Sequence, residues 1–247
     1  MTTPENQPEN TPDNAHEKTH EKTLQSTINR SGIKTVRIDI VSDVMCPWCV
    51  IGYQGLKQAL SQLDGEIEAD IHWQPFELNP NMPPEGQDLG EHIAEKYGST
   101  PAQSQKNRDQ ITQLGANLGF TFNFTEGKKI LNTFKAHQLL HWAGETSTVQ
   151  TALKMALLHA YFTDGRDVSD ETVLAEIVKE VGLEADFAIQ LLQDQVYSGD
   201  VRALQNKWRE LGVTAVPTFI INEKFMISGG QPPEAFVQGL RQITDSI

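Results

Sequence analysis

The 247-residue chain carries 33 acidic against 20 basic side chains, a formal net charge of −13, with 38% apolar and 21% charged residues. That balance excludes a general nucleic-acid binder, which needs a basic face, and fits a soluble globular protein with chain enough for a packed core. No apolar run is long enough to span a bilayer, and Leu118-Gly119-Phe120 lacks the strand–turn–helix setting of a phosphate-binding loop.

Residues 1–30 hold almost no apolar side chains and are dense in Pro, Glu, Asn, Thr and Lys. Burial cannot offset the entropy of ordering them, so they are expected to form a disordered tail. The tail has no basic start followed by an apolar stretch and does not read as a secretory signal. The expected compartment is the cytoplasm, where thiols are normally kept reduced and a purely structural disulfide is improbable.

"KTVRIDIVS" (34–42) alternates Val36, Ile38 and Ile40 with Arg37 and Asp39, the period of a strand. Both cysteines follow at once, in "SDVMCPWCVIG" (42–52). From Pro47 to Leu63 the apolar residues Val50, Tyr53, Leu56, Leu60 and Leu63 recur at three- and four-residue steps and predict a helix, stopped by Asp64-Gly65. "EIEADIHWQPF" (66–76) alternates again, a second strand that ends at Pro75. A β-α-β unit of this kind sets its two strands parallel.

Residues 77–88 read as a loop by their prolines and glycine, and no strand signal follows before residue 218. Helices are predicted over 89–98, 101–119, 128–143, 147–162, 169–181, 184–196 and 198–213, with Ser169 opening the one over 169–181. Strands at 218–222 and 224–228 flank a turn at Asn222-Glu223, and a last helix starts at Pro233. Trp73, Trp142 and Trp208 lie on apolar stripes and are expected in the core.

The Cys46–Cys49 spacing is shared by redox couples, by half of a tetrahedral zinc site, and by thiols packed inertly as small hydrophobes. Zinc would need His72, or the one-turn pair His137 and His141, to complete it. The second half of a zinc pattern is missing, so no metal is expected.

Together with "NTFKAHQLLHWA" (132–143), "AYFTDGRDVSD" (160–170) and "GVTAVPTFIINEKFMISGGQPPEAF" (212–236), the cysteine segment resembles the DsbA-type branch of the thioredoxin superfamily, and within it the FrnE-like subgroup. The resemblance spans about residues 34–245. It implies an α/β, thioredoxin-like fold, with β-α-β and β-β-α halves and an inserted all-helical domain. On that division, 34–76 and 199–247 form the thioredoxin-like domain, 77–198 the insertion and 1–30 the tail. It also implies thiol–disulfide exchange, with Cys46 attacking, Cys49 resolving and Pro217 as a cis-proline facing them. The further C-terminal cysteine pair of some relatives is absent here.

The residues agree with that chemistry. Pro47 occupies the first helical position, where a missing N–H costs nothing, and the first-turn N–H groups favour negative charge on the Cys46 sulfur. Cys49, one turn inward, is expected to be more buried and to resist ionisation. The motif holds no cation, Trp48 supplies none, and Asp43 would oppose a thiolate if it were close, so the expected activation is moderate. Val216 would pair its backbone with an extended substrate segment, and Pro47, Trp48 and Val216 would offer an apolar rim beside Pro217. Asn132, Thr133 and His137 are candidates for the cleft wall facing Cys46; Asn132 and Thr133 have the alternative of capping their helix.

The expected activity is protein disulfide oxidoreduction, with no cofactor beyond the redox-active pair and glutathione as a candidate co-substrate. The expected partners are disulfide-containing proteins and a cellular thiol reductant or oxidant, with neither nucleic acid nor membrane, in a monomer or homodimer. The alternative is a glutathione-dependent isomerase or transferase of the 2-hydroxychromene-2-carboxylate isomerase or kappa type. Those relatives commonly place a serine where Cys46 stands, so the two cysteines favour the dithiol enzyme.

Overall fold

The computed structural model describes residues 32–246; the expected tail at 1–30 lies outside them. β1 (Lys34–Ser42) buries Val36, Ile38 and Ile40, α1 (Pro47–Gln62) follows the cysteine turn, and β2 (Ile67–Pro75) returns parallel to β1, from Lys34 opposite Ile67 to Ser42 opposite Pro75. Next come β3 (Gln87–Asp88), α2 (Leu89–Tyr97), α3 (Pro101–Asn117) and β4 (Lys129–Ile130). Helices α4 (Phe134–Thr146), α5 (Gln150–Phe162), α6 (Glu171–Glu180), α7 (Ala185–Gln193) and α8 (Ser198–Glu210) lead to β5 (Thr218–Ile221), β6 (Phe225–Ser228) and α9 (Pro233–Asp245). The main sheet has the order β2-β1-β5-β6, with β5 antiparallel to both β1 and β6. Asn222 and Glu223, at φ of 50° and 57°, make the tight turn of the β5–β6 hairpin, whose twist requires positive φ at both positions.

The alternation of β1 divides its side chains between two faces. Val36, Ile38 and Ile40 pack with Tyr53 and Leu56 of α1, Phe219 of β5 and Phe236 and Leu240 of α9. On the other face, Val41 and Ile220 meet Phe76, Val213 and Trp208 of α8. A third cluster fills the inserted helices around Leu139, Leu153, Leu157, Ile177 and Leu191. Val44, Met45, Val50 and Ile51 belong to that third cluster, so the cysteine segment stands at the seam between insertion and sheet. Trp73, Trp142 and Trp208 are all buried, as expected.

β2 is an edge strand, and helices close it. The Gln150 amide accepts from Trp73 N–H (2.9 Å) and donates to the carbonyls of Trp73 (3.1 Å) and Leu140 (3.0 Å), imitating a further strand. Thr151 Oγ1 accepts from Trp73 Nε1 at 3.0 Å. These bonds dock the first turn of α5 on β2. Where β2 gives way to the insertion, the buried Glu77 carboxylate pairs with Arg202 of α8 and accepts from Gln205 Nε2 at 3.1 Å, while the Arg202 guanidinium sits 3.8 Å from the centre of the Phe134 ring.

Three expectations are corrected. The helix predicted over 128–143 begins only at Phe134, because Lys128 donates to Tyr161 O (2.5 Å) and Asn123 O (3.3 Å), and its carbonyl accepts from Leu89 N–H (2.8 Å). Those bonds hold 129–130 extended against β3, a strand pair with no periodic signal of its own. Asn132 Oδ1 then accepts from Phe134 N–H (3.0 Å) and opens α4. Second, α4 runs on to Thr146, so α5 starts at Gln150 rather than 147. Third, Asp170, not Ser169, caps α6, accepting from Thr172 N–H (2.7 Å) and Val173 N–H (3.2 Å). A carboxylate outcompetes a hydroxyl for those amides, and the Ser169 hydroxyl is bound to Asp167 instead (2.5 Å).

Candidate active site

Cys46 is the N-cap residue of α1 in extended conformation (φ −95°, ψ 111°), and Pro47 takes the next position because it needs no partner for an N–H. Cys49 N–H donates to Cys46 O at 3.1 Å. Both cysteines are free thiols and almost closed to solvent, Cys46 at 3% and Cys49 at 0%, while Trp48 between them is 39% exposed. The Cys46 thiol lies 3.6 Å from the carbonyl oxygen of Val216, and the Val216–Pro217 peptide is cis. Gly52 permits this approach. A Cβ there would fall 3.0 Å from both Pro217 Cγ and Phe219 Cζ, so a larger residue would force these side chains or the helix to give way. Cys46, Pro47, Trp48, Val216 and Pro217 are thus brought to one place.

The charges around the thiols come from farther away in the chain. Asp43 is buried and its carboxylate is engaged locally: Oδ2 accepts from Leu78 N–H at 2.7 Å, while Oδ1 accepts from Met45 N–H at 3.4 Å and lies 3.4 Å from His137 Nε2. Burial pushes the Asp43 carboxyl up, but His137, the Leu78 amide and Lys154 together outweigh it and hold it below the usual carboxylate range. Lys154, one turn beyond the Gln150 anchor on α5, is 1% exposed, with its ammonium 5.2 Å from the centre of the Trp73 ring. Burial brings its amine down to about 8, partly opposed by the charges of Cys49, Asp43 and Cys46. Burial, then the hydrogen bond and charge of Cys46, push the Cys49 thiol well up. The expected division between an outer and an inner thiol therefore has a local cause.

The family model for a DSBA-like thioredoxin domain matches residues 37–241. The chain belongs to the DsbA-like thioredoxin family. A crystal structure of a probable DsbA oxidoreductase from Streptomyces coelicolor superposes with a TM-score of 0.77 at 32% identity, covering 84% of this chain and 89% of that one. The uncharacterized protein YwbO of Bacillus subtilis is 27% identical over 207 residues, 83% of this chain and 96% of its own length. The cytosolic disulfide reductase DsbM of Pseudomonas aeruginosa, in its structure with GSH, has the same fold, with a TM-score of 0.58, 17% identity and coverage of 85% and 99%. DsbA-like proteins act on disulfide-containing substrates with thiol redox partners, and among the described residues no helix is long and apolar enough to cross a membrane.

Within this DsbA-like frame two expectations about the site change. The expectation that Asp43 would oppose a thiolate if it were close changes, because its carboxylate accepts from the Leu78 amide and faces His137 and the Lys154 charge. The cleft candidates separate as well. His137 faces Asp43, whereas Asn132, just before the N-cap of α4, accepts from Phe134 N–H and donates Nδ2–H to Met82 O at 3.2 Å. Thr133 is the buried N-cap residue, without a capping bond from its side chain. Sequence reasoning missed Lys154. One signal for Lys154 was available: a lone lysine inside the apolar run "TALKMALLHAYF".

Proposed function

We propose that this DsbA-like protein is a dithiol–disulfide oxidoreductase acting on protein disulfides in the cytoplasm, with Cys46 the nucleophile and Cys49 the resolving thiol. The observation that carries the reading is the Cys46 thiol at the opening of α1, 3.6 Å from the Val216 carbonyl, with a second free thiol at Cys49. The Cys46 thiolate attacks one sulfur of a substrate disulfide, and the other substrate sulfur leaves as a thiolate. Cys49 then attacks Cys46 Sγ, closes the Cys46–Cys49 disulfide and expels the substrate as a thiolate. A thiol reductant, for which the GSH-bound structure of DsbM makes glutathione the first candidate, returns the pair to the dithiol.

The electrostatics around Cys49 support this division of roles. A thiol at a helix N-terminus gains from unpaired amides, while the buried Cys49 stays protonated until the mixed disulfide needs it. Lys154 and Asp43 supply a base and a counter-charge beside it. Val216 and the rim of Pro47 and Trp48 would hold an extended peptide across the Cys46 sulfur. Two free thiols set this reading above a glutathione-dependent isomerase or transferase. The test is insulin reduction with a thiol reductant: Cys46→Ser should abolish it, and Cys49→Ser should accumulate a mixed disulfide visible by intact mass. Full activity in Cys46→Ser would end the proposal.

A further inference from the structure

Cys49 must lose its proton each time it resolves a mixed disulfide, yet it is fully buried. The acid–base groups beside it are buried too: the side chains of Asp43 and His137 are each 2% exposed, and Lys154 is 1% exposed. A route to water is therefore needed, and two histidines of α4 stand between that cluster and the surface. His137 and His141 are one turn apart on that helix, a spacing that leaves about 5–6 Å between Cβ atoms on one face. Their Nε2 atoms are buried and make no well-formed hydrogen bond, the nearest carboxylate oxygens being Asp43 Oδ1 for His137 and Glu145 Oε1 for His141, each at 3.4 Å. His137, His141, Lys154 and Trp73 line the same narrow void, which is too small to admit water.

The two ends of this arrangement differ in their access to water. His137 faces the buried charges, Asp43 from the turn before α1 and Lys154 from α5. The His141 side chain is 16% exposed, packs edge-on against Tyr197 with ring centres 5.1 Å apart, and lies beside Glu145, which is 52% exposed. An imidazole can take a proton on one nitrogen and release one from the other. Neither Nε2 is committed to a hydrogen-bond partner.

Resting on the dithiol reading above, we infer that His137 and His141 carry the Cys49 proton from the buried Asp43–Lys154 cluster to solvent beside Glu145. The Cys49 thiol gives its proton to that cluster. Its sulfur forms the bond to Cys46 Sγ as the bond from Cys46 to the substrate sulfur breaks, and the substrate departs as a thiolate with the electron pair. The substrate disulfide is the oxidant, and the proton leaves by way of His137 and then His141. The same path run inward returns a proton to Cys49 when the disulfide is reduced. His137 and His141 are therefore positioning and relay residues that act through Asp43 and Lys154.

The test uses the full-length reduced protein and an aromatic disulfide that releases a coloured thiolate, followed by stopped flow. The first, concentration-dependent phase reports attack by Cys46; the second, concentration-independent phase reports resolution by Cys49. Both His137→Gln and His141→Ala should slow the second phase roughly tenfold or more near neutral pH, relative to the first. Added imidazole should restore it in His141→Ala, where the substitution opens space near the surface. A second phase at the wild-type rate in either variant, or one that imidazole leaves slow in His141→Ala, overturns the relay. Absence of a second phase in the wild-type protein would overturn the dithiol reading instead.

Discussion

Lys154 shows how one residue can be unfavourable for folding and useful for chemistry. Its amine is brought down to about 8 from an ordinary 10.5 by burial, so above pH 8 the unfolded chain binds the extra proton. Stability contributed through this group therefore rises between about pH 8 and 10.5, and the full penalty applies below that window. Replacing Lys154 by Met should stabilise the protein at pH 7 by about 1–3 kcal/mol, less than the relief of burial alone would give because Asp43 loses a partner. The gain should fade towards pH 10.5. Thermal melts of both proteins at neutral and alkaline pH check this, and the same variant should resolve mixed disulfides more slowly. Asp43, His137 and Lys154 were each visible in the sequence, but their meeting was not. Residue types and helical period are written locally, whereas this cluster joins positions 43, 137 and 154.

At the level of elements, agreement followed the strength of the local signal. β1, α1, β2 and the β5–β6 hairpin stand close to where alternation, helical spacing and turn residues put them, because those patterns lie within a few residues of each other. The β3–β4 pair escaped because two-residue strands have no period; the carbonyls around Lys128 and the Asn132 turn decide it. The contact between α5 and β2 was equally illegible. An edge strand needs partners for its backbone, and the Gln150 amide supplies them from a distant part of the chain. Gln150→Leu would leave Trp73 N–H, Trp73 O and Leu140 O without that partner, at a cost of about 2–3 kcal/mol. Urea unfolding should show that loss as a lower midpoint, and the Trp73 amide should exchange its hydrogen faster. Since Lys154 rides one turn behind Gln150, turnover should fall as well.

Across the whole molecule, the insertion and the sheet are joined at the chain's two crossings. Glu77 leaves the sheet, Arg202 and Gln205 return to it, and the Glu77 carboxylate is buried between them. Arg202→Met would leave that carboxylate without its cation. Because the Arg202 side chain is 44% exposed and the pair partly screened, the expected loss is about 2 kcal/mol. Adding Glu77→Gln should recover most of it, since the buried group then carries no charge. Denaturant titrations of the single and double variants measure the difference.

The amino-acid sequence by itself determined the elements of the sheet, the α/β class, and a thiol pair set at a helix's first turn, since each depends on residues that are neighbours in the chain. Only the tertiary structure decided what surrounds those thiols. Docking α4 and α5 against β2 carries a lysine and two histidines to a strand that ends more than sixty residues before the first of them. The balance between their desolvation and their mutual charges exists only after that packing is complete.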